Sequence, residues 1–386
     1  TITAEITNKG RQTLHRVKAL SQSDNPALKN HEFIFGKVEP GKSKKWTIEL
    51  TIPKDSASRH DRMTLSLSDA EREFDGEYAI DVRIEGHDRP HFAFSYEVID
   101  GTGDGILQQD EEVTFRIFVE NVGEAASDDA IVYLRNLSRE AIYLHTGREK
   151  VGEIPVGESR QVDFNFSVRS APKDGEIELE IDVYDMAYRE FVQKKLKIPF
   201  SSTTRAGKKA MGSATVKAGP AKLFVASSAR SDVVATASAG AKIPVVGEVD
   251  DWFKLDMGSR TAWIQRDMVT FKRGESVELA GIEQVYQFQR PRVEMTPSTM
   301  LTANRSINLK GEINDIWPIQ DYYVVVHNQE GRTRLNTRKV NYARSGAQKV
   351  DIDTEVPLFK GMNRISVVTR NDVGMSTTES VFVFRE

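Results

Sequence analysis

Apolar and polar residues alternate along much of the chain with a period of two, which is typical of β-strands that bury one face. The clearest runs are residues 46–52 (WTIELTI), 162–168 (VDFNFSV) and 177–183 (IELEIDV). In the first run we expect the alternate apolar residues, from Trp46 to Ile52, to face a core. Since the periodicity of helices is hard to find, the pattern predicts an all-β protein.

The first half of the chain contains an internal repeat. Three motifs recur at offsets of 113, 116 and 117 residues: NKG at 8 and NVG at 121, FGKVEPGKS at 35 and VGEIPVGES at 151, and REF at 72 and 189. Asparagine and glycine in these motifs suit turns with positive φ. A nearly constant offset predicts two copies of one β-sandwich module, at residues 1–88 and 89–200.

The second copy begins with an additional alternating run, which the first copy lacks. Phe92, Phe94, Tyr96 and Val98 form this run, whereas nothing equivalent precedes Asn8 by the same distance. We therefore expect the first module to lack its leading strand and to be truncated at its N-terminus.

The second half of the chain divides into a linker and two further domains. Residues 201–212 are small, polar and without periodicity, which is typical of a linker. Residues 213–275 resemble a bacterial SH3-like barrel, on LFV at 223, WFKL at 252 and AWI at 262. Residues 286–386 resemble bacterial immunoglobulin-like modules, whose final hairpin has a Gly-x-Asn entry turn, here GMN at 361. The expected fold is a series of immunoglobulin-like β-sandwiches with one small SH3-like β-barrel.

Composition narrows the classes of function. The 386 residues include 53 basic and 57 acidic side chains, for a net charge of -4, so nucleic acid is not an expected partner. No apolar run is long enough to cross a bilayer. The chain has no cysteine, which excludes disulfides, thiolate metal sites and cysteine nucleophiles.

One segment matches a calcium-loop template. In residues 100–111 (DGTGDGILQQDE) the candidate ligands occupy template positions 1, 3, 5, 7 and 12: Asp100, Thr102, Asp104, Ile106 through its carbonyl, and Glu111. Oxygen ligands at alternate positions of a tight loop suit Ca²⁺. The alternative is a glycine-rich turn closed by its own aspartate side chains.

Other candidate sites are weaker. Trp252 and Trp263 could flank a ligand groove in the barrel, although aromatic residues at such strand positions more often belong to a core. His87 and His91 lie close together, but a zinc site would need further ligands. We find no Gly-x-Ser-x-Gly nucleophile motif, and no catalytic residue is assigned.

A resemblance to a known family extends over nearly the whole chain. The residues that carry it include SDNP at 23, GTGDG at 101, LRNLS at 134 and GES at 157. These segments resemble the region that follows the catalytic domain in tail-specific (carboxyl-terminal processing) serine proteases of predatory and related delta-type proteobacteria. The resemblance implies an exported parent protein and a periplasmic, cell-envelope location. The catalytic serine and lysine of that family are outside these residues.

These observations predict a non-catalytic accessory region that positions an exported protease or binds its protein partners. The alternative is an array that binds peptidoglycan or another glycan through the SH3-like barrel.

Overall fold

The computed structural model describes residues 1–76, 78–203, 205–330 and 334–386. Within them, the secondary structure consists of β-strands and three single-turn 3-10 helices, at Pro26–Leu28, Arg139–Ala141 and Arg266–Met268. No helix in this part of the chain has the length and apolarity needed to cross a bilayer. The all-β prediction is confirmed.

The strands belong to two compact units. The first comprises Thr1–His87, Pro291–Asp372 and Ser376–Glu386, and the second comprises Asp88–Arg290 and Val373–Met375.

The first sandwich belongs to the first unit. Its strands are β1 (Ile2–Thr7), β2 (Leu14–Gln22), β3 (Glu32–Val38), β4 (Ser43–Ile48), β5 (Arg59–Ser68) and β6 (Tyr78–Ile84). They form a two-stranded sheet, β1-β4, and a four-stranded sheet, β3-β2-β5-β6. The strand that we predicted over residues 46–52 ends at Ile48, and the side chain of Trp46 is 40% exposed although it was expected in the core. The narrow β1-β4 sheet leaves this ring incompletely covered.

The second sandwich has wider sheets. Its strands are β7 (Phe92–Ile99), β8 (Glu112–Asn121), β9 (Ala130–Asn136), β10 (Ile142–Leu144), β11 (Arg148–Gly152), β12 (Ser159–Val168), β13 (Glu176–Asp185) and β14 (Glu190–Pro199). One sheet has the order β11-β9-β13-β14. The other has the order β10-β12-β8-β7, followed by a short strand from much later in the chain.

A small barrel follows directly. Its strands are β15 (Lys208–Val216), β16 (Ala221–Phe224), β17 (Val233–Val249), β18 (Trp252–Asp256), β19 (Thr261–Gln265), β20 (Val269–Arg273) and β21 (Ala280–Val285). The long strand β17 pairs with β15, β16, β18 and β21. Because β16 also pairs with β19, the sheet closes on itself.

The barrel begins inside the segment that we predicted to be a linker. Residues 208–212 belong to β15, which pairs with β17 and β20, and position 204 lies outside the described residues. The small side chains in this segment serve close packing. A Cβ at Gly212 would lie 2.3 Å from the carbonyl oxygen of Lys272, so only glycine permits this approach of two strands. The irregular chain is therefore shorter than predicted.

The second sandwich and the barrel share one hydrophobic core. A single cluster of buried residues extends from Phe92 through Phe164 and Ile243 to Ile264. After the barrel, strand β22 (Phe288–Gln289) returns to the sandwich and pairs with β7. Phe288 stacks on Phe94, with ring centroids 5.3 Å apart. We predicted a sandwich module and a barrel joined by a linker, but the two have a common core.

The C-terminal sandwich completes the first unit. Its strands are β23 (Arg292–Pro297), β24 (Leu301–Thr302), β25 (Ser306–Asn314), β26 (Ile319–Glu330), β27 (Arg334–Arg344), β28 (Lys349–Pro357), β29 (Gly361–Asn371) and β30 (Ser376–Arg385). The sheets have the orders β23-β25-β28 and β24-β30-β29-β26-β27. Asn363 lies in the predicted Gly-x-Asn turn. Its side-chain amide accepts a hydrogen bond from the N–H of Phe359 and donates one to the carbonyl of the same residue.

The repeated asparagine has a role that the sequence did not reveal. Asn121 is fully buried, and its side-chain amide donates to the carbonyls of Ala125 (2.8 Å) and Ile154 (2.9 Å). Its Oδ1 accepts from the N–H of Gly123 at 3.0 Å. Asn8 makes the equivalent bonds in the first sandwich. Neither asparagine has the positive φ that we expected. In the second sandwich, the motif is instead a buried link between the connection that follows β8 and the connection between β11 and β12.

Replacing Asn121 with alanine should lower the free energy of unfolding of the second unit by about 2 kcal/mol, because several buried backbone groups lose their partner. Urea denaturation measures this change. The matched control is Asn165→Ala on the exposed face of β12, which should change stability by less than about 0.5 kcal/mol. Equal effects of the two substitutions would contradict the assigned role.

Candidate functional site

The loop of residues 100–111 connects β7 to β8 and is largely buried. Asp104 is fully buried, and Asp100 and Glu111 are each 8% exposed. Gly105 has a φ of +75°, and a Cβ at this position would lie 3.0 Å from Ala226. Both the conformation and the close approach therefore require glycine, and they bring three carboxyl groups into a small region.

Two of these carboxylates close the loop on itself. Asp100 accepts hydrogen bonds from the N–H of Asp104 (3.2 Å) and of Gly105 (3.0 Å). Glu111 accepts from the N–H of Thr102 at 3.0 Å and from the N–H of Gln108 at 2.8 Å. The Thr102 hydroxyl lies between the two carboxylates, 2.7 Å from Asp100 and 2.8 Å from Glu111. The sequence-predicted residues Asp100, Thr102 and Glu111 are thus brought together.

Asp104 has a different environment. Its Oδ1 accepts from the N–H of Ile106 at 2.9 Å, but no hydrogen bond reaches Oδ2 within the described residues. The closest cation is Arg205, whose Nε lies 3.7 Å from Oδ2 and which also pairs with Asp250 at 2.9 Å. Arg205 therefore only partly compensates the carboxylate.

Burial is the largest cause that raises the pKa of Asp104, and the nearby carboxylates Asp100 and Glu111 also raise it, while the Ile106 N–H and Arg205 lower it; the resulting pKa is about 7. The group therefore titrates near neutral pH. A carboxyl group whose charge is this costly in the folded state is unusual for a residue that only closes a turn.

The geometry differs from the calcium-loop prediction. Across the described ranges, no group of three His, Asp or Glu side chains is arranged to hold a metal ion. Asp104 faces Arg205. A calcium ion at Asp104 would have to replace the guanidinium as the compensating charge. Calcium binding stays a prediction from the sequence, and the alternative of a self-closed turn agrees with the hydrogen bonds of Asp100 and Glu111.

The same loop joins the second sandwich to the barrel. The N–H of Gly207 donates to the carbonyl of Thr102 at 2.8 Å, and the N–H of Ser227 donates to the carbonyl of Asp104 at 3.1 Å. The side chain of Gln108 exchanges two hydrogen bonds with the backbone of Arg205, at 3.1 and 3.2 Å. These bonds hold the loop against two separate segments of the chain.

Strand β7 supplies further polar contacts to the barrel. The Tyr96 hydroxyl donates to Asp232 at 2.6 Å, and the Thr261 hydroxyl donates to Glu97 at 2.5 Å. Burial raises the pKa of Asp232, although the hydrogen bond from Tyr96 and the charge of Lys194 lower it. Sequence analysis missed these residues. The available signal was the second face of β7, where Ala93, Ser95 and Glu97 lie between the apolar residues of the first face; all three are buried.

The remaining candidates lie in structural positions. Trp252 and Trp263 are 8% and 2% exposed and pack with Phe224 in a small core cluster, so they do not flank an open groove. His91 contacts Glu190 through Nδ1 at 3.3 Å and the Arg290 carbonyl through Nε2 at 2.9 Å. Its ring therefore has protein partners at both nitrogens.

No protein-family model and no curated protein matches the chain. Among solved structures, a tetra-tandem repeat from the extending region of a large adhesion protein is 12% identical, with 98% of this chain and 93% of that chain covered and a TM-score of 0.22. Native Escherichia coli alpha-2-macroglobulin is 11% identical over 99% of this chain and 33% of its own, with a TM-score of 0.22. A 1.5-MDa bacterial ice-binding adhesin is 11% identical over 78% of this chain and 100% of its own, with a TM-score of 0.18. At these TM-scores, the similarities carry no conclusion about function.

Proposed function

We propose that the chain is a non-catalytic scaffolding and protein-binding region. The observation that carries this proposal is the common core of the second sandwich and the barrel, closed by the return of β22 to β7. Two domains with one core keep a fixed spacing, which suits a part that positions other domains or partners. Two buried polar groups of this unit support the same arrangement. Glu97 accepts a hydrogen bond from the N–H of Thr261 in the barrel, and Asp104 faces Arg205 in the segment that leads into the barrel.

We further propose an exported, cell-envelope location and an association with a protease domain of the parent protein. The support for this is the resemblance of segments such as GTGDG at 101 and GES at 157 to the region that follows a tail-specific protease domain. Expression of the gene with an epitope tag, followed by fractionation, tests the location. Recovery in the cytosol alone would contradict it.

The spacing can be measured directly, because the chain has no cysteine and accepts two spin labels at chosen positions. Labels at the exposed residues Asn165 on β12 and Lys222 on β16 report on the sandwich and the barrel. We expect one narrow distance distribution in a double electron–electron resonance experiment. A broad or two-peaked distribution would mean that the two domains move independently, and the scaffold proposal would fail.

Two further assays address the other classes of function. The purified chain should remain in the supernatant when it is centrifuged with cell-wall sacculi, and it should hydrolyse neither casein nor chromogenic glycosides. Saturable sedimentation with sacculi would favour the glycan-binding alternative. Turnover that depends on Asp104 or another buried carboxylate would make the chain an enzyme.

A further inference from the structure

Two strands of the C-terminal sandwich, β27 and β28, have open edges on the same flank. Among the described strands, β27 ends its sheet and pairs with β26 alone, while β28 ends the other sheet and pairs with β25 alone. Because β28 contacts β26 and β27 across the sandwich, the two open edges are neighbours. The strands before and after them in the sequence, β26 and β29, pair with each other. The adjoining strands therefore do not cover these edges.

The flank formed by β27 and β28 leaves part of the hydrophobic core open. Val340 and Ala343 on β27 and Val350 on β28 pack against the core cluster of this sandwich but are only partly buried. One strand further in, Val324 and Val326 on β26 are fully buried. A partner at this flank would therefore remove apolar surface from water, which favours association.

The two open edges have opposite charges. On β27, Lys339 and Arg344 are exposed, and the described side chains of this strand include no acidic one. On β28, Asp351, Asp353 and Glu355 are exposed. Within the described residues, none of these five side chains forms a salt bridge. Each edge therefore presents a charge that the chain itself does not compensate.

The two sets of charges lie on opposite sides of the sandwich. Lys339 is on the outer face of its sheet, where its Nζ is 5.1 Å from the ring centroid of Tyr323 and 4.6 Å from that of Tyr342. The carboxylates of β28 alternate with core residues such as Ile352, so they are on the outer face of the other sheet. One chain cannot bring these charges together, whereas a second copy can. Since like charges repel, two identical edges are disfavoured as partners.

We propose that two copies of the chain associate through this flank, so that β27 of each copy pairs with β28 of the other. Main-chain hydrogen bonds join the edges, and the opposite charges select this pairing over the pairing of identical edges. Because each copy presents both edges on one flank, a two-fold axis satisfies both pairings and association stops at a dimer. The alternative is a monomer whose charged edges only prevent pairing.

Sedimentation velocity of the full chain measures this association. We expect a monomer–dimer equilibrium at chain concentrations below about 1 mM. Raising the salt concentration from about 0.05 M to about 0.5 M should weaken the dimer severalfold, because exposed opposite charges are screened at high ionic strength. A chain that remains monomeric over this concentration range at low salt would overturn the proposal.

Charge reversal tests which edges meet. One double variant combines Lys339→Glu with Arg344→Glu, and the other combines Asp351→Lys with Asp353→Lys. Each variant has two edges of the same sign, so its dimer dissociation constant should rise at least about tenfold. An equimolar mixture of the two has opposite charges at both pairings and should form a heterodimer with about the affinity of the natural chain. Loss of the dimer without this rescue would contradict the pairing of β27 with β28.

Arg364→Glu is the matched control. Arg364 is an exposed cation on the outer face of the same sheet as Lys339, but it lies on β29, which β26 separates from the open edge. We expect its dissociation constant to change less than about twofold. An effect as large as that of the β27 variant would assign the contact to the broad face of the sheet and overturn the proposal. All replaced side chains are exposed, so the variants should fold, which a thermal melt checks.

Hydrogen exchange provides a measurement that needs no variant. Exchange in β27 and β28 should slow as the chain concentration rises, while β23, at the other end of the sheet that β28 ends, should not change. Equal slowing in β23 would contradict the assigned flank. The inference adds self-association in the first unit to the protein-binding function and does not depend on it. Because the spin-label experiment concerns the second unit alone, failure of one can be distinguished from failure of the other.

Discussion

Replacing Phe288 with alanine should destabilise the second sandwich and the barrel together, by about 3 kcal/mol. Phe288 is 5% exposed and stacks on Phe94 and Tyr96 of β7, although it belongs to a strand of only two residues. Its removal leaves a cavity beside the aromatic core and weakens the segment that returns from the barrel. Because the two domains share that core, neither should retain its stability alone.

Hydrogen exchange of the slowest amides measures this prediction. Protection in β8 of the sandwich and in β18 of the barrel should fall by a similar factor, about 150-fold for a loss of 3 kcal/mol. Phe191→Ala is the control, because Phe191 is an aromatic residue of the same unit that is 44% exposed. We expect a much smaller loss for that variant. Loss of protection in β8 with none in β18 would contradict a common core.

The repeat and the alternation of apolar residues predicted most of the fold. Offsets of 113 to 117 residues place equivalent strands in equivalent sheets, as the shared register of Thr7 with Ser43 and of Glu120 with Ser159 shows. The turn glycines Gly41 and Gly157 have the expected positive φ, of 73° and 75°, whereas Gly10 and Gly123 do not. Each repeated motif and each alternating run is short and continuous in sequence, which is why a single sequence reveals them.

The features that the sequence did not predict depend on distant segments. Small residues near Gly212 suit both a linker and a strand packed closely on another, and only the approach of Lys272 distinguishes the two. The return of Phe288 to β7 has no periodic signal, because two residues cannot establish one. Burial of Trp252 similarly depends on Phe224, which the closure of the barrel brings close.

Only those contacts of the candidate site that lie within residues 100–111 could be predicted from the sequence. The spacing within residues 100–111 correctly places Asp100, Thr102 and Glu111 together, since a tight loop fixes their separation. The partner of Asp104 was not predictable. Arg205 lies in the segment interpreted as a linker, and it joins the loop through Gln108, 97 positions earlier.

Replacing Asp104 with asparagine should raise the free energy of unfolding at pH 8 by about 4 kcal/mol. The pKa of Asp104 is about 7 in the folded protein and near its usual value of 3.8 in the unfolded chain. Folding therefore favours the protonated form, and the stabilisation is fully present below the unfolded pKa. It is lost as the pH rises through the folded pKa, and a difference of about three pKa units corresponds to about 4 kcal/mol.

Urea denaturation between pH 4 and pH 8 tests this sign. The difference in stability between Asp104→Asn and the natural chain should be small at pH 4, should grow up to pH 7 and should level off above it. Asp250→Asn is the control, because Asp250 pairs with the same Arg205 but its side chain is 68% exposed, so we expect little change. A variant less stable than the natural chain at pH 8 would mean that Arg205 fully compensates the carboxylate.

Thermal melts with and without calcium distinguish a calcium site in this loop from an ion pair between Asp104 and Arg205. If the sequence-based prediction is correct, millimolar calcium should stabilise the natural chain, because an ion bound preferentially to the native state adds about 2.7 kcal/mol at a hundredfold excess over its dissociation constant. Asp104→Asn should then abolish the response, so calcium should reduce the stability advantage of the variant over the natural chain by about 2.7 kcal/mol. If the ion pair with Arg205 takes the place of the metal, thermal melts with calcium and with chelator should coincide, and the asparagine variant should remain more stable in both. The presence or absence of a calcium-dependent rise in the melting temperature of the natural chain therefore identifies the charge that compensates Asp104.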